Sequence, residues 1–253
     1  MELNVTNEEF PDQKDQIVSI ILGLEKSEEP VAFRGGLSVM DKNGWFGLLL
    51  NDTGLISDRR HYGSSNQLEK ANWWEISYQP DRETEMYAFS KTRQPFHTDN
   101  SWFADPAPMN FFAMEKQAPE GGAQTLYRLS RLIDDLKKDA PELLNDLCSM
   151  PVVIKRGDDD LQHNTTIICM DHDPAIYWNF YRTQKHQPAI RAMCDAFFDY
   201  LEEKQMSPSV ETLDSRTGDC FAFNDVKVLH GREAFKASRY GERVLFQSMW
   251  HFK

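Results

Sequence analysis

The chain reads as an α+β domain built on a barrel or jelly roll of short strands. Many runs rich in aromatic and β-branched residues are bounded by Gly, Pro, Asn or Asp, which predicts several short strands. Helical patterns are few and gather early and in mid-chain. No internal repeat, low-complexity tract or Pro/Gly-rich linker divides the 253 residues, which predicts one domain over 1–253 with a helical and strand insert at roughly 128–205. A chain of this length buries a substantial core.

From Asp12 to Leu24, after a Pro-Asp start, Ile17, Ile20, Ile21 and Leu24 share one helical face. "PVAFRGG" reads as a short buried strand ended by glycines, and "VMDKNGWFGLLLND" as a second helix weakened by Gly44 and Gly47. "WWEISYQ" and "EMYAFS" read as strands. "MNFFAMEKQA" runs into "PEGGAQTLY", a turn followed by another strand. Ser130 is the expected N-cap of "RLIDDLKKDA", and Pro141 begins a short helix, "PELLNDLC". "PVVIKR", "TTIICM" and "AIYWNFYR" are strand-like. Pro188 opens a helix whose apolar stripe is Ile190, Met193, Ala196, Phe197, Tyr200 and Leu201. "DCFAFND", "VKVLHG" and "RVLFQSMWHF" return to strand. The polar stretch "RRHYGSSNQ" (59 to 67) reads as a loop or lid, and "DDD" (158 to 160) as a solvated loop.

A formal net charge of -12 argues against nucleic-acid or anionic-membrane partners, because phosphate binding needs basic surface. Cys148, Cys169, Cys194 and Cys220 lie far apart with no CxxC spacing and read as buried thiols of a reducing compartment. The acidic start "MELNVTNEEFPDQKD" has no apolar core of a signal peptide, and no apolar run approaches the ~18 residues of a membrane span. A soluble cytoplasmic protein, with homo-oligomerisation open, is the expectation.

Two stretches carry chemistry. In "PFHTDNSW", His97 and Asp99 stand one residue apart, and on a strand or its edge both face the same side. That spacing lets an imidazole nitrogen and a carboxylate oxygen share one ion, although a buried polar pair satisfies it equally. In "GDCFAFNDVKVLHGREAF", a strand, an Asn-Asp turn and a second strand lead to His230. Arg243 then lies among Val, Leu and Phe of the closing strand, where a buried guanidinium is costly without an anion and its planar fork suits a carboxylate. Partial exposure on an alternating strand is the other reading of Arg243.

The ordered set of HxD, a distal histidine followed by "GR" and an arginine thirteen residues beyond His230 resembles the taurine dioxygenase/TfdA-like family. These are iron(II), 2-oxoglutarate-dependent oxygenases of double-stranded β-helix (jelly roll) fold. "FRG" near the start and "PEGGAQTLY" between the two histidine motifs fall in the family's order, so the resemblance runs from about Val31 to Trp250. It implies His97, Asp99 and His230 as iron ligands, a two-histidine, one-carboxylate facial triad with three open positions. It implies Arg243 as the partner of the distal carboxylate of 2-oxoglutarate, with the Thr125 hydroxyl in support. The implied activity is hydroxylation of an unactivated C–H bond of a small molecule, such as an amino acid or related natural-product intermediate. Dioxygen is consumed, and succinate and carbon dioxide are released. Related halogenases replace the carboxylate ligand by a small residue; Asp99 therefore favours hydroxylation, desaturation or ring closure.

By position, Arg93, Asn100 and Trp102 flank the HxD motif and are candidates to face substrate, and Arg182 of "NFYRT" is a candidate for a substrate carboxylate. Sulfonate-binding members of the family carry a second arginine four residues beyond the cosubstrate arginine, where this chain has Gln247. That departure counts against a sulfonate held in the same manner. Two rival readings are a metal-free ligand-binding protein on the same fold and a peptide or protein hydroxylase.

Overall fold

The computed structural model describes residues 1–62, 67–157 and 161–253. Two sheets face each other. The larger has seven strands in the order Glu2–Asn4, Val31–Arg34, Cys220–Asn224, Met109–Lys116, Val244–His251 and Ile56–Asp58, with Trp74–Ser77 also paired to Val244–His251. The smaller has four, in the order Glu211–Leu213, Gln124–Arg128, Val228–Arg232 and Gln94–His97.

The twofold side-chain period of each strand sorts its residues between two environments. Phe112, Met114, Leu126, Phe221, Phe223, Val228 and Leu245 interdigitate between the sheets. The alternate residues Phe111, Ala113, Ala222 and Trp250 pack against the helices Phe10–Gly23 and Lys42–Asn51. Phe96, Tyr127 and Leu229, on the far face of the small sheet, pack against Leu129–Asp139, Pro141–Ser149 and Pro188–Lys204. The result is a mixed α/β fold with helices outside both sheets. At one end of the inter-sheet space apolar packing gives way to a cavity of about 580 Å³.

Several expectations are corrected. "EMYAFS" is a 3-10 turn at Tyr87–Phe89 rather than a strand. The carbonyls of Tyr87, Ser90 and Thr92 accept from the Arg232 guanidinium instead of from a neighbouring strand. The helix at Leu129–Asp139 has no side-chain cap, and the Ser130 hydroxyl donates to Glu28. Only Ala175–Ile176 of "AIYWNFYR" forms a ladder. Arg60–Tyr62 of "RRHYGSSNQ" is a strand paired antiparallel with Leu68–Lys70, while 63–66 and the "DDD" at 158–160 lie outside the described residues. Gly44, expected to weaken its helix, instead gives its N–H to the Asp41 carboxylate, an N-cap. Cys194 and Cys220 are buried, Cys148 and Cys169 half-buried, and all four are free thiols. Among the described residues no helix is long and apolar enough to cross a membrane.

Gly231, between His230 and Arg232, lets three strands approach closely. A Cβ there would stand 2.7 Å from the Gln94 carbonyl oxygen and 2.9 Å from Thr125 Oγ1. Backbone cannot yield as a flexible side chain does, so Gly231→Ala should cost about 1–3 kcal/mol. For a chain of this size that is a fall in melting temperature of about 2–12 °C, read by thermal denaturation.

Candidate active site

Cross-strand register brings the two histidine motifs together. His230 pairs directly with His97, and Arg232 with Gln94, across the antiparallel ladder. Residues opposite each other share a face, so all four side chains project into the cavity. Asp99 follows two residues after His97. The ligand atoms of His97, Asp99 and His230 all lie within 4.8 Å of one another. His97 Nε2 is 3.5 Å from Asp99 Oδ1, and His230 Nε2 is 3.3 Å from Asp99 Oδ2. Donors bound side by side at roughly 2.1 Å from one ion stand roughly 3 Å apart, so small adjustments let these three close on a metal.

Both imidazoles are oriented through their other nitrogen. His97 Nδ1 is 2.9 Å from the Pro95 carbonyl, which must accept, so Nδ1 carries the proton and Nε2 keeps its lone pair. The Gln94 amide donates to that lone pair at 3.0 Å and must release it when a metal enters. His230 Nδ1 is 2.8 Å from Asp225 Oδ1. Asp99 Oδ2 accepts from Gln247 Nε2 at 2.6 Å and from Asn110 Nδ2 at 3.1 Å.

The electrostatics follow from burial and pairing. Burial opposes the Asp99 charge, but the attraction of His230 and its hydrogen bond hold the carboxyl well below the usual range. Burial also opposes an imidazolium at His230, yet Asp99 and Asp225 outweigh it and push its pKa up to about 10. Asp225 goes the other way, raised by burial despite His230.

At the far wall Arg243, immediately before the closing strand, and Leu245 and Gln247 on it line the cavity. Arg243 is 1 % exposed; its Nε donates to Gln117 Oε1 at 3.1 Å and an Nη2–H to the Gly122 carbonyl at 3.4 Å. No carboxylate among the described residues pairs with it, and the charge that acts on it is another cation, Arg232. Burial and that repulsion depress its pKa well below the ordinary value. Arg232, 2 % exposed, is lowered by burial to about 10 and gives its protons to three carbonyls. A buried fork without a counter-ion, in one cavity with a three-donor cluster, fits an anion chelated at the metal.

The register corrects the expected support for Arg243. Gln124 pairs with Arg232, and Thr125 with Gly231, so the inward residue is Gln124. With its amide oxygen turned to Arg243, Gln124 accepts from Nη2 at 3.2 Å and donates to the Gly231 carbonyl at 3.0 Å. Thr125 faces the opposite side of the strand, its hydroxyl buried without a hydrogen-bond partner among the described residues.

Of the candidate substrate contacts, Trp102 and Arg182 line the cavity and Arg93 and Asn100 do not. Arg93 turns away to an ion pair with Glu202. Asn100, at a φ of 49°, donates to the Arg60 carbonyl and the Met249 sulfur. Gln247 reaches the cavity, but its amide nitrogen serves Asp99 and Asn110. Sequence reasoning missed Gln94, Asn110, Gln124, Asp225 and Arg232. Arg232 was within reach, since it stands two residues beyond His230 on the same strand face.

A family model described as "Taurine catabolism dioxygenase TauD, TfdA family" matches residues 38–249. No curated protein matches the chain in sequence. Among solved structures, a variant of the non-heme iron oxygenase OrfP in complex with (3S)-hydroxy-L-Arg is similar over 98 % of this chain and 84 % of that one (TM-score 0.68, 13 % identity). An asparagine oxygenase with Fe(II), 3-hydroxyasparagine and succinate is similar over 96 % and 80 % (TM-score 0.67, 12 % identity). The asparagine oxygenase AsnO is similar over 97 % and 80 % (TM-score 0.71, 12 % identity). These likenesses establish a shared fold. The family match spans most of the chain, and the family works with iron(II), 2-oxoglutarate and dioxygen on small molecules. The chain belongs to the TauD, TfdA family and is an iron(II)- and 2-oxoglutarate-dependent oxygenase.

Proposed function

We propose that His97, Asp99 and His230 bind iron(II), that Arg243 and Gln124 hold the distal carboxylate of 2-oxoglutarate, and that the substrate is a free amino acid or close relative. The facing sheets are, in this reading, the halves of a double-stranded β-helix in a single domain with the helical segment inserted. The observation that carries the reading is the buried, anion-free Arg243 in one cavity with the three-donor cluster.

Bound there, iron(II) and 2-oxoglutarate supply from dioxygen an oxidant for an unactivated C–H bond, with release of succinate and carbon dioxide. The chain's own residues position and exclude water. Phe112, Trp102 and Phe180 supply apolar wall. Tyr87 and Tyr181, from opposite stretches of chain, join their hydroxyls at 3.0 Å on the solvent side, where Tyr181 is 57 % exposed. That closure suits a small substrate better than a polypeptide.

Two charged groups of the cavity support a zwitterion. Arg182 is half-buried and has no carboxylate partner among the described residues, and burial alone depresses its pKa. Glu83 lines the same cavity with Oε2 buried and without a hydrogen-bond partner among the described residues. A substrate carboxylate on Arg182 and an ammonium on Glu83 would pair both. The hydroxylated amino acids bound by the OrfP variant and the asparagine oxygenase support the same chemistry.

The test is succinate release across a panel of free L-amino acids, their N-acetyl and amide derivatives, alkyl sulfonates and aryloxy acids. A free amino acid should stimulate release and its blocked derivatives should not. Arg182→Met should raise KM for that amino acid about thirtyfold, the effect of about 2 kcal/mol, with little change in kcat. Stimulation by sulfonates or aryloxy acids alone would overturn the amino-acid reading.

A further inference from the structure

We propose that Asp225 is a positioning residue that clamps two of the three metal donors in register, one carboxylate oxygen on each. The inference rests on the metal-site reading above. Asp225 stands in the turn between Cys220–Asn224 and Val228–Arg232 and is 1 % exposed. Its Oδ2 accepts the backbone N–H of Asp99 at 2.7 Å, and its Oδ1 lies 2.8 Å from Nδ1 of His230. The first contact fixes the loop that carries the carboxylate donor. The second holds the ring so that Nε2 of His230 faces Asp99 and the cavity, where it would bind a metal on losing its proton.

The turn itself is tied down. The Asp225 N–H donates to the Pro108 carbonyl at 2.6 Å. Asn224 gives its amide protons to the carbonyls of Leu24 and Glu25, both at 2.9 Å. A rigid anchor therefore links two donors that reach the cavity from different segments. Metal affinity depends on holding donors near their bound geometry, and a carboxylate behind an imidazole also strengthens that nitrogen as a donor.

An isosteric amide cannot do both jobs. Asparagine has one acceptor oxygen, and its NH2 would face either the Asp99 N–H or His230 Nδ1–H, donor against donor. One of the two ligands must lose its anchor. Glutamate keeps the charge but displaces the oxygens by a methylene.

The experiment is titration of the metal-free full chain with cobalt(II), which shares iron(II)'s ligand preferences and reports geometry in its visible d–d bands. Wild type, His97→Ala, Asp225→Asn and Asp225→Glu are compared, with melting temperatures of the metal-free proteins. Wild type should bind cobalt(II) and His97→Ala should not; if wild type fails to bind, the metal-site reading itself falls. Given wild-type binding, Asp225→Asn should bind about 10–100-fold more weakly with altered d–d bands and a melting temperature within a few degrees. Asp225→Glu should also bind more weakly. Wild-type affinity in Asp225→Asn, or lower stability with undiminished affinity of the folded protein, overturns the clamp. Wild-type affinity in Asp225→Glu overturns it in favour of charge alone. Should Asp225→Glu fail to fold, the Asp225→Asn isotherm decides by the same criteria.

Discussion

Arg243→Met is expected to weaken 2-oxoglutarate binding at least thirtyfold and at the same time to stabilise the cosubstrate-free protein. Both signs come from one fact: the guanidinium is buried with carbonyl and amide oxygens around it but no carboxylate among the described residues, and its charged neighbour is Arg232. Without cosubstrate, a cation excluded from water and repelled by another cation carries a desolvation cost that its neutral acceptors only partly offset. A methionine of similar reach removes that cost and takes the guanidinium donor from the Gly122 oxygen, while Gln117 Oε1 still accepts from the Ala118 N–H. The net gain should be of order 1 kcal/mol, a rise in melting temperature of about 2–4 °C. With cosubstrate, the anion would face an apolar wall. Truncating one partner of a buried charge pair costs about 2–5 kcal/mol, so affinity should fall about thirtyfold to several thousandfold. Thermal denaturation with and without 2-oxoglutarate, in the presence of metal, reads both effects. An unchanged 2-oxoglutarate-dependent shift in Arg243→Met would remove Arg243 from the cosubstrate site.

His97→Ala is expected to reduce succinate release to background and to weaken metal binding by more than the 10–100-fold typical of groups behind the ligands. The imidazole contributes a direct donor, and its loss leaves one histidine and one carboxylate. Near-UV circular dichroism should match the wild type, because the ring lies in the cavity and is not part of the inter-sheet packing.

Metal affinity should also rise with pH. In the metal-free chain Asp99 and Asp225 keep His230 protonated, with a pKa of about 10, and a metal must displace that proton. A raised pKa means the proton competes throughout neutral pH and competes less as pH rises. One competing proton predicts an apparent affinity rising up to about tenfold per pH unit, measured by metal isotherms at pH 6 and pH 8. Flat affinity over that range would mean His230 is already neutral before metal arrives.

The local patterns were legible where a single rule governed them. Aromatic and β-branched content in "DCFAFND" and "RVLFQSMWHF" marked strands that lie in the sheets, and the stripe at Ile190, Met193, Phe197 and Leu201 marked a helix packed by that face. Patterns failed where a long-range partner took the backbone's hydrogen bonds. The Tyr87 and Ser90 carbonyls of "EMYAFS" go to Arg232, and the Ser130 hydroxyl goes to Glu28.

At the site, local pattern drew attention to His97, Asp99, His230 and Arg243 but left their roles open, and it was the resemblance carried by the order of the motifs that implied a metal and cosubstrate site. What surrounds those four required the tertiary structure. Gln124 replaces Thr125 beside Arg243 because strand register decides which of two neighbours faces inward, and register is a relation between strands. Gln247 and Asn110 serve Asp99 from adjacent strands, and Asp225 does so from a turn more than a hundred residues away. Arg93 is taken by Glu202 on a helix no local pattern connects to it. The sequence by itself determined which groups hold charge and donor atoms. Tertiary structure decided which of them meet, because convergence depends on pairings that neither segment encodes alone.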